Sequence, residues 1–502
     1  MKPTETNKRA QYSRTDVASF PPSVLRGRVR EGVCANGTSS TQPPPQPSPG
    51  VPGEGVNSPA VCGPIMTRRQ IIGRSAATFA AAPILLSPVA ALSEHNTAAP
   101  QTAPAAPGDP NRDYTPVTTP NGATLPFKIV DGVKVFHLVA EPVEHEFASG
   151  LKAHCWGYNG RTPGPTIEAV QGDRVRIYVT NRLPAPTTVH WHGLRIPNGM
   201  DGVNGLTQKP IDPGQTFRYE FTLNEHGTYM YHPHFDEMTQ QGLGMMGMFI
   251  IHPSDTQVRA ATRVDRDFVL MLSEWRLDPG AKRPNPIEMT DFNLLTINSK
   301  AYPGTDPLVV RKGERVRIRF GNLSAMEHHP IHLHGYQFRV AESDGGRIPD
   351  AAQSLANTIF VPVGSTRAIE FVADAEGDWP MHCHMTHHTM NQMGHNMPNM
   401  VGVDAKGLDQ KFDRVLPQYM TMGQTGMGDM GGMQMAIPKN SIAMRFPEGP
   451  FGIVDMGGMF TILKVRQGIA SYEDPGWYKH PAGTVADKAT EEQMKRDGIE
   501  LK

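Results

Sequence analysis

Four times in this chain two histidines flank a single residue: His190/His192, His232/His234, His332/His334 and His382/His384. Twenty His scattered at random over 502 positions would give roughly 0.8 such pairs. On a β-strand, residues i and i+2 face the same side, so each pair presents two imidazoles to one point. Neutral imidazole is a good copper ligand. Eight convergent His are too many for one copper and enough for three. The pattern therefore calls for a strand-built fold that holds several metal ions.

Strand signals agree. Pro165–Val170 and Arg174–Thr180 carry alternating apolar and polar residues, separated by the turn residues Gln171, Gly172 and Asp173. The pattern recurs at Leu308–Arg311 and Arg315–Phe320, flanking Lys312, Gly313 and Glu314. Asn181 and Asn322 occupy equivalent places after the second strand of each unit, which gives an internal repeat offset by 141 residues. The expected architecture is all-β, with two tandem Greek-key sandwiches over 114–258 and 259–405. A disordered N-terminal extension and a Met- and Gly-rich C-terminal segment, 406–502, flank them. No long amphipathic helix is expected.

The fourth pair brackets a cysteine, His382-Cys383-His384. Alternation turns Cys383 to the face opposite its neighbours, so its thiolate can bind a separate copper inside the sandwich. His388 follows five residues later and Met393 five after that. A Cys/His/Met set with one more distant His is the ligand set of a blue-copper electron-transfer site. His329 is the expected distant ligand, and His328 is its competitor.

Taken in order, His190-Trp191-His192-Gly193, His232-Pro233-His234, His329-Pro330-Ile331-His332-Leu333-His334-Gly335 and His382-Cys383-His384 with His388 and Met393 resemble the four copper motifs of multicopper oxidases. The resemblance covers about 114–405. It implies cupredoxin domains, four coppers per site and oxidation of a donor coupled to reduction of O2 to water. Position by position, it implies that His329, Cys383, His388 and Met393 hold the type 1 copper and that His190 and His332 hold type 2. It gives His192, His232, His234, His334, His382 and His384 to the type 3 pair. Only 94 residues separate His234 from His329, too few for the middle domain of laccase-like three-domain members, so the chain is similar to the two-domain subfamily. Pro233 stands where a Cys would sit, so domain 1 should lack a type 1 copper. Met385-Thr386-His387 offers no acid between the last ligands, and the proton donor stays open between an unidentified group and Asp201, which the family places near the cluster but which also reads as an ordinary turn residue.

The resemblance also implies a homotrimer. Without a middle domain, the first two His pairs of one chain would share coppers with the last two of the next, and a closed ring is a common solution for head-to-tail contacts. The expected partners are O2 and a small reducing substrate, either a phenol or a metal ion such as Cu(I) or Mn(II). A copper nitrite reductase, also built of two cupredoxin domains, is the alternative. It needs type 1 ligands in the first domain and lacks the full type 3 set, so Pro233 and the four complete pairs speak against it.

The remaining sequence bears on location and accessory sites. Residues 1–65 read as a disordered or non-native extension, with 36–60 rich in Pro, Ser, Gly and Thr. Arg68-Arg69 ahead of an Ala-rich apolar run resembles a twin-arginine export signal over 66–91, with Met66 as the expected start and Val89-Ala90-Ala91 as the cleavage region. A Pro/Ala-rich linker, 92–113, follows. Export to the periplasm or outside is expected. The run is interrupted by Pro83 and Pro88 and is too short and weakly apolar to span a membrane. With 48 Lys+Arg against 49 Asp+Glu, nothing in the net charge calls for nucleic acid. Loss of the leader removes Cys34 and Cys62 and leaves Cys155, expected as a small buried apolar residue, and Cys383. Met420, Met422, Met427, Met430, Met433 and Met435 crowd a Gly-rich stretch and read as a Cu(I)-binding segment. Met238, Met245, Met246 and Met248 read as domain-1 packing.

Overall fold

The computed structural model of the chain describes residues 106–278, 280–288, 292–391, 414, 439–440, 442 and 448–500. The expected N-terminal extension, the twin-arginine signal, Met393 and the Met420–Met435 segment lie outside the described residues. No helix among the described residues is long and apolar enough to cross a membrane. The helices that do occur are short: α1 Glu237–Gly242, α2 Thr256–Thr262 and α3 Glu491–Arg496.

Nine strands build the first sandwich: β1 Phe127–Val130, β2 Val133–Ala148, β3 Leu151–Tyr158, β4 Ile167–Val170, β5 Arg174–Asn181, β6 His190–His192, β7 Thr216–Thr222, β8 Gly227–His232 and β9 Gly247–His252. One sheet runs β1-β2-β5-β7 with β3 on β2; the other runs β4-β9-β8-β6. Fourteen more strands follow: β10 Arg266–Trp275, β11 Leu294–Ile297, β12 Leu308–Arg311, β13 Arg315–Asn322, β14 His329–Leu333, β15 Phe338–Ser343, β16 Gly346–Arg347, β17 Leu355–Ala356, β18 Thr358–Val361, β19 Ser365–Val372, β20 Gly377–Cys383, β21 Glu448–Gly449, β22 Gly452–Ile453 and β23 Phe460–Arg466. Their main sheets run β11-β10-β13-β19-β15-β16 and β12-β23-β20-β14-β18. These are tandem cupredoxin-type β-sandwiches.

The repeat seen in the sequence is a repeat of pairing. β2 is parallel to β5 as β10 is to β13, and β4 is parallel to β9 as β12 is to β23. Asn181 and Asn322 play one role twice. Asn181 Nδ2 donates to the Ile211 carbonyl at 2.7 Å and its Oδ1 accepts from Leu183 N at 2.8 Å. Asn322 Nδ2 donates to the Val361 carbonyl at 3.0 Å and its Oδ1 accepts from Ser324 N at 2.9 Å. Each Asn thereby fixes the loop that leads into a His-bearing strand, satisfying backbone groups that burial would otherwise strand.

Three expectations need correction. The second sandwich does not end at 405: β23 lies between β12 and β20, so a strand from the C-terminal segment completes the sheet. The linker expected over 92–113 is docked near its end, where Gly108 N donates to Asp173 Oδ1 at 2.9 Å and buried Lys134 donates to the Gly108 carbonyl at 3.0 Å. Met238 is exposed, whereas Met245, Met246 and Met248 are buried. Met246 and Met248 pack with Met230, Cys155, Met271 and Trp275 in a cluster that draws on both sandwiches; flexible thioethers fill such an irregular joint well. A buried ionic group strengthens the same joint: Arg319 binds Asp267 at 2.8 Å, Glu342 at 2.9 Å and the β8 residue Thr228 at 2.7 Å.

Candidate metal centre

The register of β14 against β20 sets the site. Ile331 pairs with Cys383, His332 with His382 and Leu333 with Met381. Ile331, Leu333, Met381 and Cys383 enter the core, so His332 and His382 take the opposite face. His329 is also buried. A 3-10 turn, Thr386–Thr389, then returns His388 to the inside. His329 Nδ1 lies 3.2 Å from His388 Nδ1, and Cys383 Sγ lies 3.3 Å from His388 Nδ1 and 3.8 Å from His329 Nδ1. His328 points elsewhere: its Nδ1 accepts from Val363 N at 2.9 Å and its ring meets Phe360. The fourth expected member of this set, Met393, is outside the described residues.

Each of the two buried imidazoles has a polar neighbour at its far nitrogen, at His388 a carboxylate in ion-pair range but outside hydrogen-bond geometry. Ser324 Oγ lies 2.7 Å from His329 Nε2, and Glu327 Oε2 lies 2.9 Å from His388 Nε2. Such outer contacts fix ring orientation and keep the inner nitrogens free as ligands. Metal–nitrogen and metal–sulfur bonds of about 2.0 and 2.3 Å put three trigonal ligands roughly 3.5 Å apart, which matches the three separations. Burial pushes the Cys383 thiol up to about 12 and His329 down to about 3. A bound cation reverses the thiol's preference, and a thiolate with two imidazoles is a donor set that fits copper.

The remaining His form two outward sets. On β6 and β8, His190 pairs with His232 while Trp191 and Tyr231 fill the core. His190 Nδ1 donates to the Asp201 carbonyl at 2.8 Å, with the Asp201 carboxylate 3.4 Å away. His232 Nδ1 donates to the Pro233 carbonyl at 2.9 Å and has Glu237 at 3.4 Å. His192 Nδ1 is 3.3 Å from His232 Nε2, and the His234 ring stands 5.7 Å from that of His190. On β14 and β20, His332 Nδ1 donates to the Asn357 carbonyl at 2.7 Å, His382 Nδ1 donates to the Cys383 carbonyl at 2.9 Å, and His334 Nε2 is 3.2 Å from His382 Nε2. The His384 ring lies 5.6 Å from both His332 and His382. Carbonyl acceptors at Nδ1 leave Nε2 as a lone pair for a metal. Burial lowers His192, His334 and His382, and takes His232 down to about 3, so these rings are neutral, as ligands must be.

Among the described residues, ring contacts join the His within each outward set and none joins the two sets. Asp201 stands beside the first set rather than in a free turn. Gly202, with φ +85°, lets the chain pass so close to β6 that a Cβ there would meet the Val189 carbonyl at 1.8 Å. Ser324, Glu237, Glu274 and Glu327 were not singled out from sequence. Glu327 stands two residues before His329 and Glu237 three after His234, and that proximity is their only signal; Ser324 and Glu274 reach the site through folding. A cleft of about 440 Å³ borders His192, His232, Glu274 and Ser324.

These features define a cupredoxin-type copper protein with one buried and two outward ligand sets. Residues 140–256 and 278–402 each match a family model described as multicopper oxidase. Copper resistance protein A of Pseudomonas syringae pv. tomato is 29% identical over 245 residues, 39% of each chain. Laccase-1 of Cryptococcus neoformans var. grubii is 30% identical over 222 residues, 39% of this chain and 35% of that one. A solved blue copper oxidase from Nitrosomonas europaea aligns with 68% of this chain and 91% of that one, at 25% identity and a TM-score of 0.49. The chain spans well under half the length of the curated relatives it matches. It belongs to the multicopper oxidase family and is laccase-like, and copper, in type 1, type 2 and type 3 sites, is the family's cofactor.

Proposed function

We propose that this protein is an exported copper-dependent oxidase that couples one-electron oxidation of a phenolic or metal-ion donor to four-electron reduction of O2 to water. Bound copper supplies one-electron exchange at the buried set and O2 reduction at the outward sets. The observation that carries the reading is the position of Cys383: its Sγ faces His329 and His388, while its chain neighbours His382 and His384 stand in an outward set. A few covalent bonds thus connect the inner and outer ligands. His329, Cys383 and His388, with Met393, are assigned to the type 1 site. His190 and His332 are assigned to type 2; His192, His232, His234, His334, His382 and His384 to type 3. Core side chains around Cys383 exclude water from the inner site. Glu327 steadies His388 and is itself partly exposed, so it offers a way in for an electron donor. Asp201 steadies His190 and stands where a proton could be handed on.

Separation of the two outward sets within one chain supports a shared site between copies, and we place the two-sandwich chain in a homotrimer. Exposed Phe360 and Leu355 near β14, and exposed Leu206 in the first sandwich, are surfaces such an assembly would cover. The twin-arginine leader and Cu(I) binding by Met420–Met435 complete the proposal. Copper counted per chain, the intense blue thiolate absorption and O2 uptake with a phenol, Cu(I) and Mn(II) test it together. A fully loaded chain with no blue absorption and no O2 uptake would defeat it.

A further inference from the structure

The chain beyond β23 divides into a part that is fastened to the body and a part that is not. The fastened part ends at Tyr478. The Tyr472 ring lies between the guanidinium groups of Arg266 and Arg311, at 3.8 and 4.5 Å. Lys464 donates to Asp474 at 2.5 Å, Arg466 to the Gly476 carbonyl at 2.8 Å, and Tyr478 N to Asp378 at 2.8 Å. In the register of β20 against β23, Asp378 pairs with Lys464 and His382 with Phe460. Period-2 alternation puts Asp378, Lys464 and His382 on one face of that sheet. The fastened part therefore lies on the outward face that carries the second histidine set.

From Lys479 to Glu500 every residue is exposed except Met494, which is partly buried. Among the described residues, the hydrogen bonds and ion pairs of 481–500 are all made inside that stretch. Its local structure is nevertheless closely specified. α3 opens in a capping box, with Gln493 N donating to Thr490 Oγ1 at 3.2 Å and Thr490 N donating to Gln493 Oε1 at 2.8 Å. It closes in a Schellman turn: Gly498 takes φ +71°, its N donates to the Lys495 carbonyl at 3.3 Å, and Ile499 N donates to the Met494 carbonyl at 2.8 Å. This closure pairs Ile499, 57% exposed, with Met494 at the end of the helix. Isolated helices shorter than about 12–15 residues are marginal in water even when well capped. A six-residue helix with both ends encoded and no body to pack on is built to rest on another surface.

We propose that residues 479–500 form an arm that clasps a neighbouring copy of this chain, with α3 docking through Met494 and Ile499. The proposal rests on the shared-site reading of the assembly. The face on which the arm is rooted is the histidine face that a neighbour's first sandwich must meet, so the arm leaves the body at the border of that contact. A cover for the arm's own sandwich would be buried against it, and this stretch is exposed.

Sedimentation across a dilution series compares the full chain with one that ends at Tyr478. The shortened chain keeps β23 and should keep the blue absorption, while its trimer should come apart at a concentration at least about tenfold higher, the change expected from losing a buried apolar pair. Met494→Asp together with Ile499→Asp in the full chain should act the same way, and it decides the matter if the shortened chain fails to fold. A benzophenone side chain placed at position 499 should, on illumination, link one chain to another. A trimer that dissociates at the same concentration in parent and variants, or links confined within single chains, would overturn the arm and leave the trimer standing. A full chain that is monomeric at every concentration would overturn both.

Discussion

Cys383 does two jobs with one residue, as an inward thiol and as the chain link between two outward imidazoles. Cys383→Ser should therefore abolish the blue absorption and O2 uptake while circular dichroism and melting show a folded chain, because a hydroxyl cannot replace the thiolate ligand. Retained turnover would rule out the assignment. Ser324 acts one step further out. Ser324→Ala removes the contact at His329 Nε2 and should lower copper affinity or activity by about 10–100-fold, read by chelator competition; an unchanged affinity would make Ser324 packing alone. The buried imidazoles also set an acid limit. His232 and His329 are held down to about 3 in the folded, copper-free chain, against about 6.5 unfolded. The unfolded chain thus binds more protons between those values. The stabilising contribution is complete above about pH 6.5 and is lost as pH falls toward 3, at up to about 1.4 kcal/mol per pH unit for each group. Melting temperatures of the copper-free protein should fall steadily from pH 7 to pH 4; a flat profile would show that the rings are hydrated.

At the level of elements, alternation explains most of the site. On β20 it sends Met381 and Cys383 inward and His382 outward, and on β6 it sends Trp191 inward between two outward His. What alternation could not show is the strand that holds β20 in place. β23 pairs with β20 from Gly377–Val465 to His382–Phe460 and fills its role as β9 does in the first sandwich, yet 76 residues lie between Cys383 and Phe460. Truncation at 405 should leave the second sandwich unfolded, seen as loss of cooperative melting. In the full chain, Leu463→Ala, fully buried on β23, should cost about 2–5 kcal/mol in denaturant titration. A truncated chain that still melts cooperatively and binds the blue copper would contradict this.

For the whole molecule, the decisive fact is that, among the described residues, ring contacts gather the eight outward His into two groups and none joins one group to the other. If copies complete each other's sites, light scattering should give three chains per particle, and dilution to monomers should lower type 2 and type 3 copper content together with O2 uptake, while the blue absorption persists within each chain. A monomer with full copper and full activity would sink the trimer. The buried Arg319, Asp267, Glu342 and Thr228 group ties the two sandwiches of one chain into a fixed relation, which head-to-tail closure requires.

The sequence by itself determined the strand fold, the repeat and which His and Cys are candidate ligands, because period-2 alternation and short motif spacings act within a few residues. The reason His328 stays away from the thiol took tertiary structure: Val363 N captures it from a distant loop. So did the roles of Ser324, Glu274 and Glu327, whose contacts depend on how loops from separate strands meet, and the place of β23, whose neighbours are far away along the chain. Met238 reads like the other methionines near it, and only the packed structure leaves it exposed on a cleft while Met246 and Met248 join two sandwiches. Local chemistry is written in local spacing; burial and partnership are set by chain segments that local spacing cannot bring together.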